Sequence, residues 1–214
     1  EEQKEQFEEE FTPDGEETPD YAGAEIDGSK IGRHVINLGT IDAMLGDLMK
    51  NGLRVDGGDK LGKTIIFASS HLEAVKIVER FNHLYHELGR DFCALIDSHV
   101  ENSDNLIEKL EQRDSLPQIA VSVDMLDTGI DVPDILNLVF FKSVMSKIKF
   151  LQMIGRGTRL SSDIFGPGED KKGFLIFDYF DNFGYFNAKG NWSDPKSDKK
   201  FYEIHSQTYN INKR

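Results

Sequence analysis

Apolar positions along this chain fall into short continuous runs, separated by stretches in which they recur every three or four residues. The runs are "KTIIFA" from Lys63, "DFCALI" from Asp91, "PQIAVSV" from Pro117, "ILNLVFF" from Ile135 and "GFLIFDYF" from Gly173. None alternates strictly between apolar and polar, and β-branched and aromatic residues dominate. That pattern predicts strands of a parallel sheet buried on both faces. The stretches between them have helical spacing. "GTIDAMLGDLMKNG" predicts a helix with Thr40 as N-cap and Gly52 as its stop. "HLEAVKIVERFNHLYHELG" predicts one that presents Val75, Val78, Phe81 and Tyr85 and ends at Gly89. "SDNLIEKLEQR" predicts a helix capped by Ser103, and "SKIKFLQMI" a fourth. Strands alternating with helices imply an α/β fold with a mostly parallel, doubly wound sheet, whose ligands bind beyond the carboxyl ends of the strands.

Charge divides the chain further. The net charge of −13 looks wrong for a protein that meets nucleic acid, but residues 1–27 hold 12 acids against the single base Lys4. The remaining 26 acids and 24 bases nearly cancel, so a DNA-facing surface stays open. Residues 1–38 read as an acidic linker or extended arm with too few apolar residues to bury. Residues 39–183 form the α/β lobe, and 184–214 a C-terminal extension without a clear period. "EEQKEQFEEEF" is an odd place for a natural protein to begin, so the chain is expected to be excised from a longer one. One cysteine, Cys93, sits in an apolar run and reads as a buried thiol in a cytosolic setting. No apolar stretch is long enough to span a bilayer.

Two stretches carry candidate phosphate chemistry. "GGDKLGKT", Gly57–Thr64, matches the phosphate-loop pattern G-x-x-x-x-G-K-[ST] letter for letter. Such a loop works only between a strand and a helix, so that loop amides and a helix N-terminus converge on the phosphates. Here the order is loop and then strand, because "TIIFA" favours the pleat. The match therefore reads as a polar turn entering a buried strand. A self-contained phosphotransferase using Lys63 would require a helix to begin at Thr64. The other stretch is "QMIGRGTRL", with Gln152, Arg156 and Arg159 at i, i+4 and i+7 and Gly155 and Gly157 keeping the backbone thin around Arg156. A continuous helix would gather all three on one face. If the glycines break it, the arginines still lie within a turn. Planar guanidinium forks suit phosphoryl oxygens, although a solvated basic helix end has the same composition. His83 and His86 read as a surface pair, and no metal set is expected in this chain.

Taken in order, "KTIIFASSHLEA", "VDMLDTGIDVP" and "QxxGRxxR" resemble motifs IV, V and VI of superfamily 2 helicases and translocases. The wording, with "NLVFF" and a following Phe/Asp-rich strand, is most similar to the motor subunit of type I restriction enzymes. The likeness covers residues 60–183. It implies a RecA-like three-layer sandwich, the second of two lobes that clamp ATP and Mg2+ between them. The P-loop and the magnesium-holding acid would lie in the first lobe and the nuclease in another domain of the full-length chain. Modification (methyltransferase) and specificity subunits would complete an assembly acting on double-stranded DNA, with no membrane involved. By position in the motifs, Arg156 and Arg159 would reach the γ-phosphate as arginine fingers, and Gln152 would order phosphates or the attacking water. Gly129 and Asp131 would line the nucleotide side, while Thr128, Ser69 and Ser70 would meet DNA. Asp131 could equally be a turn residue before Pro133, and Ser69 and Ser70 helix caps. Two departures weaken the transfer of single-strand contacts. Val123 stands where many helicases have Thr or Ser, and Thr128 where many have Arg. Another superfamily 2 motor and a non-catalytic module of RecA-like shape are the remaining alternatives.

Overall fold

In the computed structural model, the described residues are 37–98, 100, 102–127, 130–188 and 208–209. All but the last two residues of the expected acidic arm lie outside them. Helix α1 (Leu38–Asn51) buries Ile41, Met44, Leu45 and Leu48 along one stripe. Its N-cap is Asn37, whose side chain accepts a hydrogen bond from the Thr40 amide at 3.2 Å, so Thr40 is a residue within the first turn. The stop expected at Gly52 is there, its amide donating to Leu48 O at 2.8 Å. A small antiparallel hairpin follows, β1 (Arg54–Val55) with β2 (Lys60–Leu61), closed by a 3-10 turn at Asp56–Gly58. Gly57 and Gly58 there take φ +70° and +104°, which accounts for the paired glycines of "GGDKLGKT".

The main chain then alternates strand and helix: β3 (Lys63–Ala68), α2 (His71–Leu84), β4 (Cys93–Leu95), α3 (Ser103–Glu111), β5 (Ile119–Ser122), β6 (Ile135–Phe141), α4 (Lys147–Gly155), β7 (Leu175–Asp178), α5 (Asn182–Ala188) and β8 (Thr208–Tyr209). All strands from β3 onward lie parallel in one sheet of order β4-β5-β3-β6-β7-β8. Every residue of β3, β5 and β6 is buried, as the continuous apolar runs require. β5 and β6 flank β3, so the connection between them passes β3, and its described residues, 123–127 and 130–134, form no helix and make up a strap. Helix α5, in the stretch without a clear period, straddles the boundary expected at 183–184.

Two further expectations shift in detail. Helix α2 buries Ala74, Ile77 and Phe81, one residue off the expected stripe, and leaves Val75 and Val78 half-buried. Ser103 does not cap α3. Asn102 precedes the helix in the left-handed region, and Ser103 Oγ instead donates to Asp97 O (2.7 Å) and Val100 O (3.0 Å), fastening the loop before it. The aromatic density after β7 feeds the core. Phe150 of α4 lies with its ring centroid 5.0 Å from each of Phe140, Phe183 and Phe186. Rings at that spacing add about 0.5–1.5 kcal/mol per pair beyond area burial, so α4 is anchored firmly to β6 and α5. Among the described residues no helix is long and apolar enough to cross a membrane.

Candidate functional site

Helix α4 starts with Ser146 as N-cap, its side chain accepting from the Lys149 amide, and ends at Gly155. Its core face, Phe150, Met153 and Ile154, fixes its rotation, and that leaves Gln152 exposed on the opposite side. Arg156 is the C-cap and still has helical dihedrals. The chain then turns, with the Gly157 amide donating to Ile154 O at 3.0 Å and the Thr158 amide to Gly155 O at 3.3 Å. The glycines thus end the helix, and Arg159 lies beyond it within one turn of Arg156.

Gln152, Arg156 and Arg159 line one cavity of ≈340 Å³ together with Ile130 and Val132 of the strap. The residues of motif VI and the second half of motif V therefore converge. Arg156 donates through Nη1 to Ile130 O. Its Nε is buried and makes no hydrogen bond among the described residues. Arg159 donates through Nη2 to Asp131 Oδ2 at 2.7 Å, and both side chains are more than half exposed. Such surface pairs are worth about 0–1 kcal/mol, so a competing anion can take Arg159 from Asp131 at little cost. The Asp131 amide in turn donates to Glu111 Oε1 at 3.3 Å, which ties the strap to α3. Thr128 and Gly129 lie outside the described residues.

Ser69 and Ser70 are exposed at the C-terminal end of β3. Ser70 caps α2, accepting from the Glu73 amide at 3.2 Å. The Ser69 amide and hydroxyl both donate to Glu73 Oε2, at 2.7 and 2.6 Å. The anion at this helix start is the chain's own Glu73. Lys63 sits elsewhere, at the amino end of β3 and only 2% exposed. Its ammonium donates to Ser115 O (2.9 Å) and Pro117 O (3.3 Å), and burial pushes its pKa down to about 8. Thr64 lies in a strand, so no helix N-terminus stands behind the lysine, and "GGDKLGKT" is not a phosphate loop.

Sequence reasoning missed an ion cluster beside the site. Lys142, just past β6, donates to Val123 O (2.7 Å) and Asp124 Oδ1 (3.2 Å). Lys149 of α4 donates to Asp124 Oδ1 at 2.6 Å and stands 3.0 Å from Asp127 Oδ2. Lys149 holds the Asp124 carboxyl below its ordinary range, whereas burial raises that of Asp127. The one legible signal was Lys149 at i−3 from Gln152. Among the described residues no group of three or more His, Cys, Asp or Glu side chains is placed to hold a metal.

Comparison with known proteins agrees with this geometry. The helicase conserved C-terminal domain matches residues 46–161, more than half of the chain. The type I restriction enzyme EcoKI endonuclease subunit of Escherichia coli (strain K12) is 34% identical over 126 residues, 56% of this chain. This chain spans only 10% of that relative. A fragment described as the HsdR subunit of a type I restriction enzyme from Vibrio vulnificus YJ016 superposes with a TM-score of 0.54 at 26% identity, over 78% of this chain and 32% of that one. With motifs IV to VI in order on a parallel sheet, and with the match running from α1 through the arginine turn, the chain belongs to the helicase conserved C-terminal domain family and within it is similar to type I restriction enzyme motor subunits.

Proposed function

We propose that this chain is the second motor lobe of an ATP-dependent double-stranded DNA translocase within a type I restriction enzyme. The observation that carries the reading is the shared cavity, in which Gln152, Arg156 and Arg159 meet the strap that follows β5. Two guanidiniums, one partly buried and bonded to Ile130 O and the other paired with an exposed carboxylate, fit a polyphosphate presented from outside the lobe. In this arrangement ATP with Mg2+ supplies the phosphoryl group, and its P-loop and metal-holding acid belong to a first RecA-like lobe. Arg156 and Arg159 stabilise the charge on the γ-phosphate, and Gln152 orders the phosphates or the attacking water. Asp131 and Gly129 border the nucleotide, and Asp131 releases Arg159 as the lobes close. Thr128 links the nucleotide side to the DNA track, where Ser69 and Ser70 offer contacts. A DNA phosphate there has to displace the Glu73 carboxylate from Ser69. The nuclease domain, the modification subunit and the specificity subunit are the remaining partners of the assembly.

The experiment is DNA-stimulated ATP hydrolysis by this chain alone and joined to a first lobe, with Arg156→Ala, Arg159→Ala and Lys63→Ala variants. The lobe alone is expected to be silent. The joined motor is expected to turn over and to lose on the order of 10³-fold or more in kcat with either arginine removed. Turnover by the lobe alone that vanishes with Lys63→Ala would overturn the reading.

A further inference from the structure

Lys149, Gln152 and Arg156 stand at i, i+3 and i+7, so they share one face of α4. The strap from β5 runs along that face and is bonded to it at both ends. Lys149 donates to Asp124 at 2.6 Å and approaches Asp127 Oδ2 to 3.0 Å as an ion pair without hydrogen-bond geometry. Lys149 is thus the cation nearest a carboxylate that has no hydrogen bond among the described residues, while Arg156 donates to Ile130 O. Lys142 fastens the same strap to the end of β6 through Val123 O and Asp124. Asp127 is only 4% exposed, and a buried carboxylate is tolerated only where a cation reaches it. One residue of slip in the strap would carry Asp127 away from Lys149 and Ile130 O away from Arg156 together.

Resting on the functional reading above, we propose that Lys149 and Asp127 are positioning residues: their pair sets the register of the strap on α4, so that Arg156 moves as one body with Ile130 and Asp131. Neither residue touches a phosphate. The rival is an ion pair that only stabilises the fold. Removing one partner strands a buried charge and harms the fold under either view, so the deciding variant removes both charges, Lys149→Met with Asp127→Asn. Lys149→Arg keeps the cation.

Two measurements decide. In the motor with both lobes, the double variant is expected to unfold within about 2 °C of wild type yet lose about tenfold or more in kcat for DNA-stimulated ATP hydrolysis, with KM for ATP changed less than about threefold and Lys149→Arg close to wild type. A double variant with wild-type kcat would overturn the proposal. In this chain alone, amide exchange at Asp127 and Asp131, which donate to Asp124 O and Glu111 Oε1, is expected to quicken by about tenfold in the double variant, with β5 and β6 amides unchanged. Unchanged exchange at those two amides overturns the register claim even if the wild-type motor proves silent, an outcome that would count against the functional reading separately.

Discussion

Gly155 and Gly157 flank Arg156 and look equivalent in sequence, but the structure separates them sharply. A Cβ built on Gly155 meets nothing within 4 Å, whereas one on Gly157 would lie 2.3 Å from Phe174 Cδ2 and 2.5 Å from its Cε2. Phe174 is 4% exposed and belongs to the same core cluster as Phe150 and Met153. To restore an ordinary carbon–carbon contact of about 3.5 Å, the ring must retreat by roughly 1 Å into packed neighbours. Overpacking of that kind costs about 1–3 kcal/mol. Gly155→Ala instead gains helix propensity at the last helical residue, at most about 0.5–1 kcal/mol. The two alanine variants should therefore differ by about 2–3 kcal/mol. For a folded body of this size, that separates their midpoints by roughly 5–10 °C, with Gly157→Ala the less stable. Thermal and urea unfolding followed by circular dichroism measure it directly. Equal midpoints, or the reverse order, would refute the packing argument and the rigidity it gives to the turn between Arg156 and Arg159.

Two further outcomes follow from buried polar groups. Asn137, in the middle of β6 and fully buried, bonds Leu53 N (2.8 Å), Leu53 O (3.2 Å) and Thr64 Oγ1 (3.2 Å). Strand propensity favours Asn137→Val, yet it leaves the Leu53 amide without its acceptor, while Leu53 O keeps the Gly62 amide and Thr64 Oγ1 keeps Gly62 O. Urea unfolding should therefore show a loss of about 1–3 kcal/mol, and a stabilised variant would contradict this account. Lys63, held down to about 8, sheds its proton in the folded state before the unfolded chain does near 10.5. Its folded pKa is depressed, and for a base this costs stability where both states are protonated. Wild type should thus gain on Lys63→Met by up to about 1.4 kcal/mol per pH unit between pH 8 and 10, and a flat difference would show that the ammonium is not desolvated.

What the sequence determined by itself is local. Continuous apolar runs predicted β3 to β7 because a strand covered on both faces has no polar side to show. The failure of "GGDKLGKT" was legible because Ile65, Ile66 and Phe67 prefer the pleat to a helix. Gln152, Arg156 and Arg159 were legible as a group because they lie within eight residues. Tertiary structure alone decided which distant segment meets them. The strap that passes β3 brings Asp131 to Arg159 and Asp124 and Asp127 to Lys149, pairs 22 to 28 residues apart in the sequence. The same holds for Asn137, which reaches back 84 residues to Leu53, and for Gly157, whose need for glycine comes from a ring on Phe174. Periodicity reports which face of an element is apolar, whereas the partner of that face depends on strand order, and strand order is set by the packing of the whole sheet.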